Sequence, residues 1–176
     1  PYAEFIEPLT ALFVRADAAF DYSYLKLARA AYQKLFDVTT LEDEYGRGIR
    51  SADLPDVDGD EARARYLRAI YETTTSARRP QVLFEQMQQA RLWGGRSNAT
   101  LEDVIQISPK SLPNQEQFFE DWIAFLRPQK GDDADAWLRE AIRLARGTSG
   151  LEELARTEGN KRPRAYLDWF TALEGE

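Results

Sequence analysis

The chain contains no cysteine and no histidine. Without cysteine there are no disulfides, thiolate metal sites or cysteine nucleophiles. Without histidine there is no Ser-His-Asp chemistry, no histidine-bearing zinc site and no access to the commonest general base. Any catalysis by these 176 residues falls to carboxylates, tyrosine, lysine or serine. The only methionine is Met87 and the first residue is Pro1, so the expectation is a processed protein or a domain of a longer polypeptide. No apolar run approaches the roughly 20 residues that cross a bilayer. The opening PYAEFIEPLT lacks the basic-then-apolar order of a signal peptide. A soluble, cytoplasmic chain with no membrane partner is expected.

Basic charge is also scarce. The formal net charge is −7, so the electrostatic footprint of a nucleic-acid binder is missing and nucleic acid is not an expected partner. The balance is uneven: residues 1–60 hold 12 acids against 6 bases, and residues 61–176 hold 18 against 17. Arginine outnumbers lysine 18 to 5, and its planar fork suits carboxylate pairing and stacking on aromatic rings.

What is present is globular and helical. A chain that is 43% hydrophobic and 30% charged buries a core, and its length suits one domain, residues 1–176. Apolar residues recur at helical spacing nearly throughout, with no sustained strand-type alternation. The spacing predicts helices over 3–20 (stripe Phe5, Leu9, Leu12, Phe13, with Pro8 starting or kinking it), 21–38 (Ala28, Tyr32, Leu35, Phe36) and 60–77 (Ala62, Tyr66, Leu67, Ile70, Tyr71). Further helices are expected over 79–93, 100–107, 115–128, 134–147, 149–160 and 162–175. Pro80 sits in a first turn, Gly94 and Gly95 stop the fourth helix, and Gly147 caps the seventh. The expected fold is all-α, a helical bundle or a short repeat-like array of about nine helices.

Several of these segments share a texture. ARAAYQKLF and ARARYLRAIY place a small residue four positions before a tyrosine, with apolar residues three and four positions later; ADAWLREAI and RAYLDWFTAL vary it. The small residue admits a neighbouring helix and the aromatic fills the space above it. DYSYLKLARAAYQKLF, residues 21–36, resembles the second helix of a tetratricopeptide repeat, with Ala28, Tyr32 and Leu35 at the packing positions. That resemblance implies an alpha-solenoid-like interaction scaffold. The first-helix Trp–Leu–Gly pattern and a regular 34-residue period are missing.

DLPDVDGDEARARYL, residues 53–67, has the look of a calcium loop. An EF-hand needs an oxygen ligand at position 1, Gly at 6 and Glu at 12. Placing Gly59 at 6 puts Leu54 at 1 and Arg65 at 12, and both fail. Asp58 with Glu61 three residues on is instead a capping-box arrangement at a helix start. Asp60 and Glu61 then precede Arg63, Arg65 and Arg68 as near-neighbour charge pairs.

Other constellations are weaker. WGGRSN, residues 93–98, offers exposed amides to an anion but lacks P-loop spacing and reads as a helix-terminating turn. Ser108 and Ser111 flank Lys110 in a proline-rich connector with no means of desolvating the lysine. Glu120–Asp121 and Asp132–Asp133 are adjacent acids that point apart on a helix. The densest basic stretch is EGNKRPRAYLDWF, where Lys161, Arg162 and Arg164 lie at a helix N-terminus and oppose its dipole. The expected contact surface is therefore Arg156, Lys161, Arg162 and Arg164, with Tyr166 and Trp169 beside them, and the expected partner is a protein or acidic peptide. No catalytic residue, metal ligand or cofactor is assigned. The functional expectation is a non-catalytic interaction or scaffolding module. The alternative is a small-molecule or divalent-metal-binding helical domain using carboxylates. Whether the acidic first third masks the basic cluster is left open by the sequence.

Overall fold

The computed structural model describes residues 3–42, 49, 53–90 and 98–175. It is all-helical, with eight α-helices and no β-strand among those residues. In chain order they are α1 (Ala3–Asp21), α2 (Leu25–Thr39), α3 (Gly59–Thr73), α4 (Arg79–Ala90), α5 (Leu101–Gln106), α6 (Gln115–Leu126), α7 (Asp132–Glu158) and α8 (Arg164–Glu174); a 3-10 turn, Ser76–Arg78, precedes α4. The chain groups into two compact units, residues 1–99 with 103–111 and residues 100–102 with 112–176. The expected Gly94–Gly95 stop lies outside the described residues, as do residues 43–48 and 50–52 of the loop before α3.

In the first unit α1 packs on α2 and α2 on α3, while α3 also meets α1 and α4. Ala28, Tyr32, Leu35 and Phe36 are buried, as the stripe of α2 predicts. Phe36 sits edge-on to Phe13 (5.9 Å) and to Tyr66 (5.8 Å), the geometry aromatic quadrupoles favour. On α1 the buried face is Leu9, Phe13, Ala16, Ala19 and Phe20, whereas Phe5 and Leu12 stay exposed. The stripe expected there is shifted toward the C-terminal half of α1, where Ala16, Ala19 and Phe20 join Leu9 and Phe13.

The helix expected from Asp21 starts at Leu25. Ser23 adopts a left-handed φ of 64°, its N–H donating to Phe20 O (2.8 Å) and the Tyr24 N–H to Ala19 O (2.8 Å). Those paired bonds are a Schellman ending of α1, made here by serine in the place glycine usually takes.

Asp58 caps α3: its carboxylate accepts from the Asp60 N–H (2.9 Å) and the Glu61 N–H (3.0 Å). Asp60 pairs with Arg63 at 2.6 Å and Glu61 with Arg65 at 3.7 Å. Arg68 departs from the expected pairing with the acids before it. It is fully buried, and pairs with Glu72 at 2.5 Å. It also donates to the carbonyls of Val104 (3.3 Å), Lys110 (2.7 Å) and Ser111 (3.1 Å). A buried guanidinium is tolerated when a counter-ion and several acceptors replace its water, and the end of α5 with the following connector supplies those acceptors.

In the second unit α7 packs on α6 and on α8. Phe118, Trp122, Leu126, Trp137, Leu138, Ile142, Leu151 and Leu154 form the core. The two helices expected over 134–147 and 149–160 run together as α7, with a break at Gly147, where φ is 63° and ψ −153°. Only glycine occupies that region readily. Gly131 precedes α7 and Pro163 occupies the N-cap position of α8.

Candidate functional site

α8 differs from every longer helix in how little it buries. Its sequence RAYLDWFTALE is apolar over a wide arc, yet Ala165 is its one buried residue. Tyr166 (39% exposed), Leu167 (65%), Phe170 (53%) and Leu173 (46%) face outward. At i, i+4 and i+7, Tyr166, Phe170 and Leu173 form one stripe along the helix, with Leu167 beside it. A contiguous row of large exposed apolar side chains marks a contact surface more often than it marks ordinary protein exterior.

The row is anchored to α7 by rings. The Gly159 position receives the Tyr166 ring: a Cβ there would lie 2.3 Å from Tyr166 Cε2. Trp169 stacks on Phe170 with centroids 5.3 Å apart, and the Arg156 guanidinium lies over the Trp169 ring at 5.4 Å. Its indole Nε1 is buried with no hydrogen-bond partner.

The basic residues nominated by the sequence divide into two kinds. Arg162 is drawn into the unit: it pairs with Asp135 (2.5 Å) and Glu158 (3.0 Å) and donates to the Arg127 carbonyl (3.1 Å). Burial alone would lower its pKa, but the hydrogen bonds to Asp135 and Glu158 outweigh it and raise it. Those contacts belong to an alternating relay. Arg127 pairs with Glu158, Glu158 with Arg162, Arg162 with Asp135, Asp135 with Arg139 (3.1 Å), and Arg139 with Asp168 on α8. Lys161 and Arg164 are exposed and have no ion pair among the described residues, whereas Arg127, Arg139, Arg143, Arg146, Arg156 and Arg162 each engage a carboxylate. Of the nominated cations, those left for a partner are therefore Lys161 and Arg164, with Arg156 held by Glu152 (2.8 Å) at the edge. Leu167, Phe170 and Leu173 complete the surface; the sequence signals them only as members of an amphipathic helix, whose buried side it cannot assign.

The remaining candidates are dispersed or structural. Glu120 pairs with Arg146 (2.9 Å), while Asp121 accepts from the Gln117 amide (2.9 Å). Ser108 Oγ accepts from the Lys110 backbone N–H (3.3 Å); the Lys110 carbonyl is spent on Arg68. Among the described residues no three acidic side chains converge as metal ligands. An open depression of about 490 Å3 is lined by Ser23, Tyr24, Leu25, Lys26, Leu27 and Thr73, which brings one cation and no carboxylate. Burial pushes the Tyr66 hydroxyl up to about 12, with the Arg29 charge partly opposing. Tyr32 is raised further by burial and by the bond it donates to Asp17. Both phenols lie in the core of the first unit and stay neutral. Among the described residues no helix is long and apolar enough to cross a membrane.

The WGGRSN turn falls largely outside the described residues, together with Trp93. No protein-family model, curated protein or solved structure matches this chain.

Proposed function

We propose that the chain is a non-catalytic interaction module whose contact surface is α8. The observation that carries this reading is the exposed row Tyr166, Leu167, Phe170 and Leu173 on a helix that buries Ala165 alone. Lys161 and Arg164 stand at its N-terminal end without ion pairs among the described residues. Apolar anchors supply affinity once desolvated, and the bordering charges select the partner and its orientation. The surface suits a protein segment with an apolar face and an acidic end.

The test is a photocrosslinking phenylalanine analogue at position 167, with a second chain carrying it at the exposed α7 position 153 as control. A discrete crosslinked protein product from 167 and none from 153 supports the reading. Equal, diffuse crosslinking from both positions overturns it.

A further inference from the structure

We infer that α8 docks on α8 of a second copy of this chain, the two helices running antiparallel. This rests on the reading of α8 as a contact surface and names its occupant. The argument begins with charge placed at the wrong ends of a helix. A helix N-terminus favours acids and its C-terminus favours bases. The first turn of α8 holds no acid and its last turn no base. Instead Lys161 and Arg164 stand at the start and Glu174 at the end, exposed and without ion pairs among the described residues. Each of these charges adds to the macrodipole instead of opposing it. Within one helix that arrangement is unfavourable. Beside an antiparallel copy it becomes favourable at both ends, because the positive head of each helix meets the negative tail of the other.

The apolar row fits the same operation. Setting Arg164 opposite the second copy's Glu174 brings Tyr166 level with its Leu173, and Leu167 level with its Phe170, each within one residue. The row is thus close to palindromic about the centre of α8. A self-complementary patch of this kind generates a closed two-fold dimer, the commonest symmetric assembly. An acidic partner of different sequence would satisfy Lys161 and Arg164 but would leave Glu174 facing like charge. A contact confined to one helix of 11 residues falls short of the roughly 800 Å2 per partner of a standard interface. Association is therefore reversible and strengthens with concentration.

Sedimentation velocity over about a hundred-fold range of concentration reads the outcome directly. Mass rising from one chain toward two is expected for the wild type, with Phe170→Glu remaining a single chain at every concentration while keeping the wild-type circular dichroism. Arg164→Glu and Glu174→Arg each convert both cross-copy pairs to repulsion and should weaken association about ten-fold or more. Mixing those two variants in equal amounts places opposite charges at both ends again and should restore dimers, as should the double variant alone. A wild type that stays monomeric throughout overturns the self-association. Failure of the mixture to restore dimers overturns the antiparallel register. A monomeric wild type that still crosslinks a different protein through position 167 would leave α8 as the contact surface with another occupant. Dimers untouched by Phe170→Glu would place the interface away from α8.

Discussion

α3 and α8 carry the same local signature, a small residue four positions ahead of an aromatic: Ala62 before Tyr66, and Ala165 before Trp169. Their fates are opposite. From Ala62 to Tyr71, α3 is buried almost without interruption, including two arginines. α8 buries only Ala165. The residue pattern tells which face of a helix seeks cover, but the arrival of neighbours decides whether it finds any. α3 is met by α1, α2 and α4, while α8 packs chiefly on α7.

The contrast can be broken most sharply at Arg68. Arg68→Ala leaves Glu72 and the carbonyls of Val104, Lys110 and Ser111 unsatisfied, and a loss of about 3–5 kcal/mol is expected in chemical denaturation. A loss below about 1 kcal/mol would mean that water already reaches those carbonyls. The next effect is a pH slope. Because burial raises the Tyr66 pKa from 10.0 to about 12, the folded state keeps a proton that the unfolded state has released. Its contribution is complete below pH 10 and is lost as pH rises toward 12. Tyr66→Phe should flatten that alkaline decline, measured as melting temperature against pH.

Smaller again is the cap. Asp58→Ala removes the acceptor for two α3 amides and should cost about 1 kcal/mol. The smallest effect belongs to α8. Phe170→Ser, studied at dilution, should change stability by no more than about 0.5 kcal/mol, the range of ordinary surface substitutions. A larger loss would show that the α8 face is covered within one chain, and the comparison with α3 would collapse.

Much of the fold was legible because it follows from local chemistry. Period-3.6 apolar spacing gave α2, α3, α6 and α8. Asp58 announced a cap through its position before Glu61, and Gly147 announced a break that the backbone makes at a φ of 63°. The start of α2 was not legible, since Ser23 occupies a left-handed position without the glycine that usually signals one. The partners of Arg68 were not legible because its backbone acceptors lie 36 to 43 residues away, beyond any helical repeat. The candidate site was half legible. Lys161, Arg164 and Tyr166 are exposed at the start of α8, whereas Arg162 serves the relay. The exposure of Leu167, Phe170 and Leu173 depends on which helices fail to cover them, and no local pattern encodes that.

The relay that ends on Asp168 has one more consequence. A helix fastened by charge, with little burial, separates from its neighbour more easily than the core opens. Added salt screens the partly exposed Arg139–Asp168 pair, while the apolar contacts of α3 are indifferent to such screening. Amide hydrogens of α8 should therefore exchange with solvent through a sub-global opening that quickens with ionic strength. Those of α3 should exchange only with unfolding of their whole unit, making α8 an end-piece whose release is set by the surrounding electrolyte.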